Sequence, residues 1–350
     1  MKYNCFNIAF GLIFTLAFSS CTSRLYTSLD VLRPAKIAFS PEVKHLIIIN
    51  NTVTQPSNIG HKTVLLTENA KDVTIKTDSL ALFCLGALTE GLKEKDFFNS
   101  VELNEKSINS SNDFNIINSI RPEETKKLCE SNVSEAILSL DKINVNDQLS
   151  EYYIAENGSY LSSIEIVYES YWSIHYPNSS QIANIQFKDT AYWQSESYYR
   201  QQGLNGLPNR NDALVDGALE VGRKSVNRFI PYWDKVDRYF YSSNNKGLKR
   251  GIDSVYVKNW KAAIQEWELS YNKIKNTNTK AQLANNIAIA YELSGDIDKA
   301  LEYANLSYIM LSQQILMDVD TLAHASNYLV ELSQRKKEID LLKKQLGEEK

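Results

Sequence analysis

The sequence predicts an α+β protein, with an N-terminal mixed α/β domain followed by an all-α helical region. Three observations predict it. Short β-branched runs alternate with helical patterning between residues 45 and 140. Residues 164–176 alternate with a period of two. Beyond residue 244 the apolar positions switch to helical spacing, with small residues recurring among them. The 350 residues, 43% hydrophobic and 23% charged, suit a globular chain of about two domains. The low Gly and Pro content argues against collagen-like or long disordered architecture. The net charge is −4 and no basic block could track a phosphate backbone, so no nucleic-acid partner is expected.

The N-terminus carries the sharpest signal. Lys2 is the only charge before Arg24, and Phe6 to Phe18 is an apolar run too short for a membrane span, which needs about 20 residues. Ser19, Ser20 and Cys21 follow. This stretch resembles the bacterial lipobox, with Phe18 standing where Leu is usual. The resemblance implies a signal peptide over residues 1–20 and lipidation of Cys21, so that the membrane is one partner. No Asp follows Cys21 and no acidic run is present. By similarity to known sorting rules, the expected place is the outer membrane, facing the periplasm. Residues 21–40 read as a tether.

The α/β domain is expected over residues 41–243. His45 to Asn50 reads as a buried strand, with short strands near Val64–Leu66, Val73–Ile75 and Val101–Leu103. Asp78 suits a helix N-cap, and Leu80, Phe83, Cys84, Ala87, Leu88 and Leu92 make one apolar helical face. Pro122 suits a first helical turn running to about Cys129. Residues 136–140 read as a strand. In the stretch 164–176, Ile164, Ile166, Tyr168, Trp172, Ile174 and Tyr176 share one strand face, and Glu165, Glu169, Ser173 and His175 share the wet one. A turn at 177–180 leads to a partner strand through Ala183, Ile185 and Phe187, and a helix spans 215–229. This element order resembles envelope lipoproteins of the curli-secretion and penicillin-binding-protein-activator kind. Cys84 and Cys129 are open to two readings, a disulfide or two buried thiols.

Residues 244–335 read as paired helices. Ala284, Ile287, Ala288 and Tyr291 face Ile297, Ala300, Leu301 and Ala304 across Ser294-Gly295-Asp296. This resembles a tetratricopeptide repeat, with Ala288, Tyr291, Gly295 and Ala300 at its signature positions and Ala304 where an aromatic is usual. Trp260, Ala263 and Trp267 repeat the pattern one unit earlier. A helix over 314–333 caps the array, and residues 336–350 read as a charged C-terminal helix or tail. The Asn259-Trp260 to Trp267 stretch and Asn285 to Asp296 together resemble an uncharacterised family of Bacteroidota lipoproteins with such repeats, which implies location and architecture but no sites.

No constellation declares a reaction. There is no Cys-x-x-Cys, no His-Glu-x-x-His and no Gly-x-Ser-x-Gly, and the histidines at 45, 61, 175 and 324 are scattered. No catalytic residue, metal ligand or cofactor is therefore assigned. Gly217 to Ser225 misses the phosphate-loop spacing by one residue, and its glycines read as helix-packing positions. Glu165 and Glu169 read as solvated. The aromatic cluster is the feature with binding potential. Tyr168, Trp172 and Tyr176 are expected in the core, and Tyr192, Trp193, Tyr198 and Tyr199 on the surface. The expectation is a non-enzymatic, lipid-anchored module that binds an envelope protein. The alternative is a glycan-binding lipoprotein using the aromatics around Tyr192–Tyr199.

Overall fold

The computed structural model describes residues 23–111, 113–179, 182–243, 245–314 and 318–348; Cys21 lies outside them. The described residues form two compact units, one comprising 34–232 and 345–348, the other 23–33 together with Trp233–Lys344.

The first unit is mixed α/β. Its strands are β2 (His45–Asn50), β3 (His61–Val64), β4 (Lys71–Asp72), β5 (Ser100–Asn104), β6 (Ala136–Ile154), β7 (Ser159–His175) and β8 (Ala183–Ser197). Its helices are α1 (Leu80–Glu94), α2 (Pro122–Asn132), α3 (Arg200–Asn205) and α4 (Arg210–Phe229). The sheet runs β4-β3-β6-β2-β5, with β7 on β6 and β8 on β7. One edge of the long β6 serves two parallel partners, β2 along its first part and β3 along its second. Its other edge pairs with antiparallel β7 along nearly the whole length.

Both faces of β2 are covered, as its unbroken apolar run requires. Ile48 packs with α1 and α4 in the main core, whereas Ile47 and Ile49 pack with Cys129 of α2 on the opposite side. Cys84 belongs to the first cluster, so the two thiols lie on different faces of the sheet and both are free. Burial pushes the Cys84 thiol up to about 12.

Three strands outrun their expected lengths. Polar residues from Asp141 to Asp147 break the apolar pattern of β6, yet the strand continues to Ile154. Asn157-Gly158 then turns it back into β7, with Gly158 at φ +73. Strand β8 continues past Phe187 to Ser197. Ser173 and His175, expected on a wet face, are buried.

The second unit corrects the expected tether. Ser23–Arg33 is strand β1, paired with β9 (Tyr232–Ser242) in a two-stranded sheet. Ser23 Oγ donates to the Ser242 carbonyl and Arg33 reaches Asp234, so the two strands run in opposite directions. Nearly all of β9, placed in the α/β domain by the sequence, thus belongs with the helices. Those are α5 (Lys246–Tyr256), α6 (Trp260–Lys273), α7 (Thr277–Leu293), α8 (Ile297–Ser312) and α9 (Val319–Leu346). The expected separate tail from residue 336 is the continuation of α9. The abundant asparagines start these helices. Asn245, Asn259 and Asn276 accept from backbone amides at the starts of α5, α6 and α7, and Asp296 does so for α8.

Gly217 and Gly222 pack within α4 rather than forming a loop. A Cβ at Gly222 would lie 2.2 Å from the Cys84 carbonyl oxygen and 2.9 Å from the Ala87 Cβ, so α1 and α4 approach at this point. Gly222→Ala is expected to lower stability by about 1–3 kcal/mol in chemical denaturation. Gly86→Ala, where nothing lies within 4 Å, is expected to be neutral or stabilising. Equal effects of the two would refute the close approach.

Candidate functional site

The four surface aromatics do not form one platform. Side chains alternate along β8, and its register decides which way each ring faces. Tyr192 sits opposite Glu165 and is 52% exposed. Trp193 sits opposite Ile164, half-buried against the main core. Tyr198 and Tyr199, past the strand, are 72% and 69% exposed. Trp193 is therefore a correction to the expected surface set. The misplacement arose because β8 was expected to end before it.

The helix-pair positions come together. Ala263, Trp267, Ala288 and Ala300 are fully buried in one core, with Trp260 and Tyr291 packed against it. Trp267 donates from Nε1 to the Leu248 carbonyl at 2.9 Å. A Cβ at Gly251 would lie 2.3 Å from the Trp267 ring. Gly295, at φ +89, makes the turn between α7 and α8.

Beside this core lies an aromatic cluster of which only Tyr291 was singled out in the sequence. Tyr303 stacks on Tyr291 with centroids 5.8 Å apart and meets Tyr271 edge-on at 5.9 Å. Glu268 accepts from the Tyr291 hydroxyl at 2.9 Å and the Tyr303 hydroxyl at 3.1 Å. Lys280 and Lys299 lie over the rings of Tyr271 and Tyr291. Burial, with the hydrogen bond to Glu268, pushes the Tyr291 hydroxyl up to about 12. All four residues of the cluster are half-buried, with part of each side chain open to solvent.

Two buried polar networks were not legible. In the helical unit, Glu292 is fully enclosed and accepts from Arg238 Nε at 2.8 Å, Arg238 Nη2 at 2.9 Å, the Tyr328 hydroxyl at 2.9 Å and Arg335. Arg238 also donates to Glu331 at 2.9 Å, and Arg33 bridges Asp234, Glu331 and Glu338. Burial opposes the Arg238 charge, but its bonds to Glu292 and Glu331 outweigh that and hold its pKa above the ordinary value.

In the α/β unit, Asp141 accepts from Asn51 at 2.8 Å, from Ser139 at 2.8 Å and from Ser173. Ser139 Oγ also lies 3.1 Å from His175 Nε2. Burial raises Asp141 against these three hydrogen bonds, and burial lowers His175 to about 4. Serine, histidine and aspartate thus meet here, but the serine lies between the other two and all three are shut from solvent. The arrangement lacks the histidine–carboxylate bond and the accessible oxygen that a nucleophilic serine needs. Elsewhere, His61 Nδ1 pairs with Asp147, which Arg210 holds at 2.5 Å, while His61 Nε2 has no partner among the described residues.

A cavity of about 210 Å³ opens where β2 and β5 end, beside the start of α1. Asn50, Thr52, Gln55 and Thr77 line it, and they hydrogen-bond to one another or to nearby backbone. Asp78 and Glu105 are exposed at its wall. Among the described residues no group of three His, Cys, Asp or Glu side chains is gathered as a metal site requires. Nor is any helix long and apolar enough to cross a membrane.

Two tests follow from the networks. Glu292→Ala strands buried Arg238 and half-buried Arg335 and is expected to cost about 3–5 kcal/mol in denaturant unfolding, whereas exposed Glu302→Ala changes stability by less than about 0.5 kcal/mol. His175 has a lowered pKa when folded, so its neutral form stabilises above the unfolded value near 6.5 and that contribution is lost as pH falls toward about 4. Over that window it lowers stability by at most about 1.4 kcal/mol per pH unit. His175→Gln should flatten this part of the stability–pH curve; an unchanged slope would contradict the burial.

Two family models match: Domain of unknown function (DUF8603) over residues 43–241 and Domain of unknown function (DUF6340) over residues 249–334. No curated protein matches. Among solved structures, an uncharacterized protein shares 10% identity at a TM-score of 0.21, covering 55% of this chain and 94% of its own. A homolog of the neuraminyllactose-binding hemagglutinin from Helicobacter pylori shares 10% identity at a TM-score of 0.25, covering 55% of this chain and 90% of its own. Superpositions that loose lend neither fold nor activity. The DUF8603 match spans more than half of the chain and the α/β unit almost entirely, and the chain belongs to that family.

Proposed function

We propose that this chain is a lipid-anchored envelope protein whose helical unit binds another protein without catalysing a reaction. The observation that carries the reading is the half-exposed cluster of Tyr271, Tyr291 and Tyr303 around Glu268, on helices whose crossings are closed by buried alanines. Large, stiff rings with a hydroxyl at one end are the side chains that dominate protein interfaces. Pairs α5/α6 and α7/α8 fit tetratricopeptide-like units, which bury their faces by stacking and leave an outer surface for a partner. The apolar run before Cys21 supports a lipid anchor there, and Thr22-Ser23 after it supports an outer-membrane, periplasm-facing location in a Bacteroidota-type envelope. Half-buried Trp193 removes the largest ring from the set a sugar-binding platform would have used.

Metabolic labelling with a fatty-acid analogue is expected to mark the wild-type protein and not Cys21→Ala. Crosslinking in solubilised envelope is expected to capture one recurrent protein partner. Tyr291→Ala with Tyr303→Ala should cut that capture at least ten-fold while leaving helical content unchanged. Unlabelled wild-type protein would remove the anchor. Capture that is absent, or equal in the double variant, would remove the interaction surface.

A further inference from the structure

We infer that the solvent face of α5 rests directly on an anionic lipid surface, so that this chain has no spacer between its anchor and its helical unit. The inference rests on the proposed lipidation of Cys21. Ser23 is already the first residue of β1 and is fastened to Ser242 by its side chain at 3.0 Å. Two residues of chain reach about 7 Å at full extension, so a lipid-bearing Cys21 keeps the Ser23 end of β1 at the headgroups. The next element after Ser242 is α5, whose first residue, Lys246, is four residues on and at most about 14 Å away.

The chemistry of that helix fits the place. Lys246, Lys249 and Arg250 stand at i, i+3 and i+4, which puts them on one face, and all three are exposed. The opposite face, Leu248, Gly251, Ile252 and Val255, is buried. No ion pair engages the three cations among the described residues, and one acid, Asp253, shares their face a turn further along. Nearby Arg24 is committed otherwise, 4.6 Å above the Tyr239 ring. Three unpaired cations beside an acylated residue form the two-signal combination that makes anchoring stable, one signal hydrophobic and one electrostatic.

The test uses the mature chain, residues 21–350, in two arms. In the first, Cys21→Ser removes the lipid, and binding to phosphatidylglycerol vesicles is compared with binding to phosphatidylcholine vesicles by sedimentation. Each basic residue near an anionic surface multiplies binding about five-fold, so K246Q/K249Q/R250Q should weaken phosphatidylglycerol binding about 100-fold. Phosphatidylcholine should bind neither form, and added salt should release the unmutated surface. Equal binding of the two forms, or salt-insensitive binding, overturns the proposal. In the second arm, lipidated protein carries a fluorophore at Asp253→Cys, exposed on the same face and leaving all three cations in place, since Cys84 and Cys129 are buried. Quenching by headgroup-labelled lipid is expected. Absence of quenching in a preparation whose Cys21 is acylated overturns the placement alone. Absence of acylation overturns the anchor alone, and the first arm still decides the basic face.

Discussion

A carboxylate sealed inside the helical unit sets the terms for everything around it. Glu292 sits in α7 and takes hydrogen bonds from β9 through Arg238 and from α9 through Tyr328 and Arg335. Glu331 and Arg33 carry the network on to β1. A buried carboxylate is tolerable only while its donors are in place, so these elements depend on one another for stability. The alanine-lined crossings of α6, α7 and α8 are smooth and non-directional, and by themselves leave helix register loosely defined. The two-pronged Arg238–Glu292 pair fixes a distance and a plane, and so fixes which turn of α7 faces β9. Asn286 acts in the same sense: its side-chain amide exchanges two hydrogen bonds with the Tyr241 backbone, holding β9 to α7.

The α/β unit uses the same device three times. Asp147 of β6 is held by Arg210 at the start of α4, and Asp189 of β8 by Arg228 at its end, at 2.8 Å and 2.5 Å. Glu151 of β6 is held by Arg200 of α3 at 2.8 Å. In each case a strand supplies the acid and a helix the guanidinium. Apolar contact with Tyr168, Trp172 and Ile174 pulls α4 onto the sheet, and the charge pairs at its two ends stop it from sliding. Burial supplies the bulk of the stabilisation and the charged pairs supply the alignment.

This division explains what the sequence made legible. Apolar periodicity revealed β2, α1, the hairpin of β7 with β8, and the α7–α8 pair, because each buries a continuous face of its own, whereas α2 was marked by Pro122 at its start. It failed where the face is mixed. In β1, Leu25, Leu29 and Val31 alternate correctly, but Thr27 interrupts them and the partner strand is some two hundred residues away, so the segment read as a tether. In β6 the inward residues past Leu140 include Asp141 and Asp147, polar groups that become interior only because distant residues satisfy them. Asn157-Gly158 was a hairpin signal available in the sequence, and it would have extended both flanking strands. The arginine–carboxylate pairs have no local signature at all, since their partners lie between 39 and 63 residues apart in the α/β unit.

The polar groups also bear on what kind of activity the chain can host. A catalytic or small-molecule site needs polar atoms that are shielded from water yet keep a valence free for the substrate. Most of the shielded ones here are spent internally. Asp141 is filled by three donors and Glu292 by four, and the amides and hydroxyls around the cavity beside α1 bond to one another or to backbone. Among the described residues His61 Nε2, Ser134 Oγ, Asn144 Oδ1, Ser162 Oγ and Asn285 Nδ2 have no partner, and the His61 ring is fully buried and turned toward Asp147. Among the broad side chains left partly open to solvent in the helical unit are the tyrosines beside Glu268. Broad, amphipathic and fixed by their neighbours, they are the side chains that the proposed recognition of a partner surface would use.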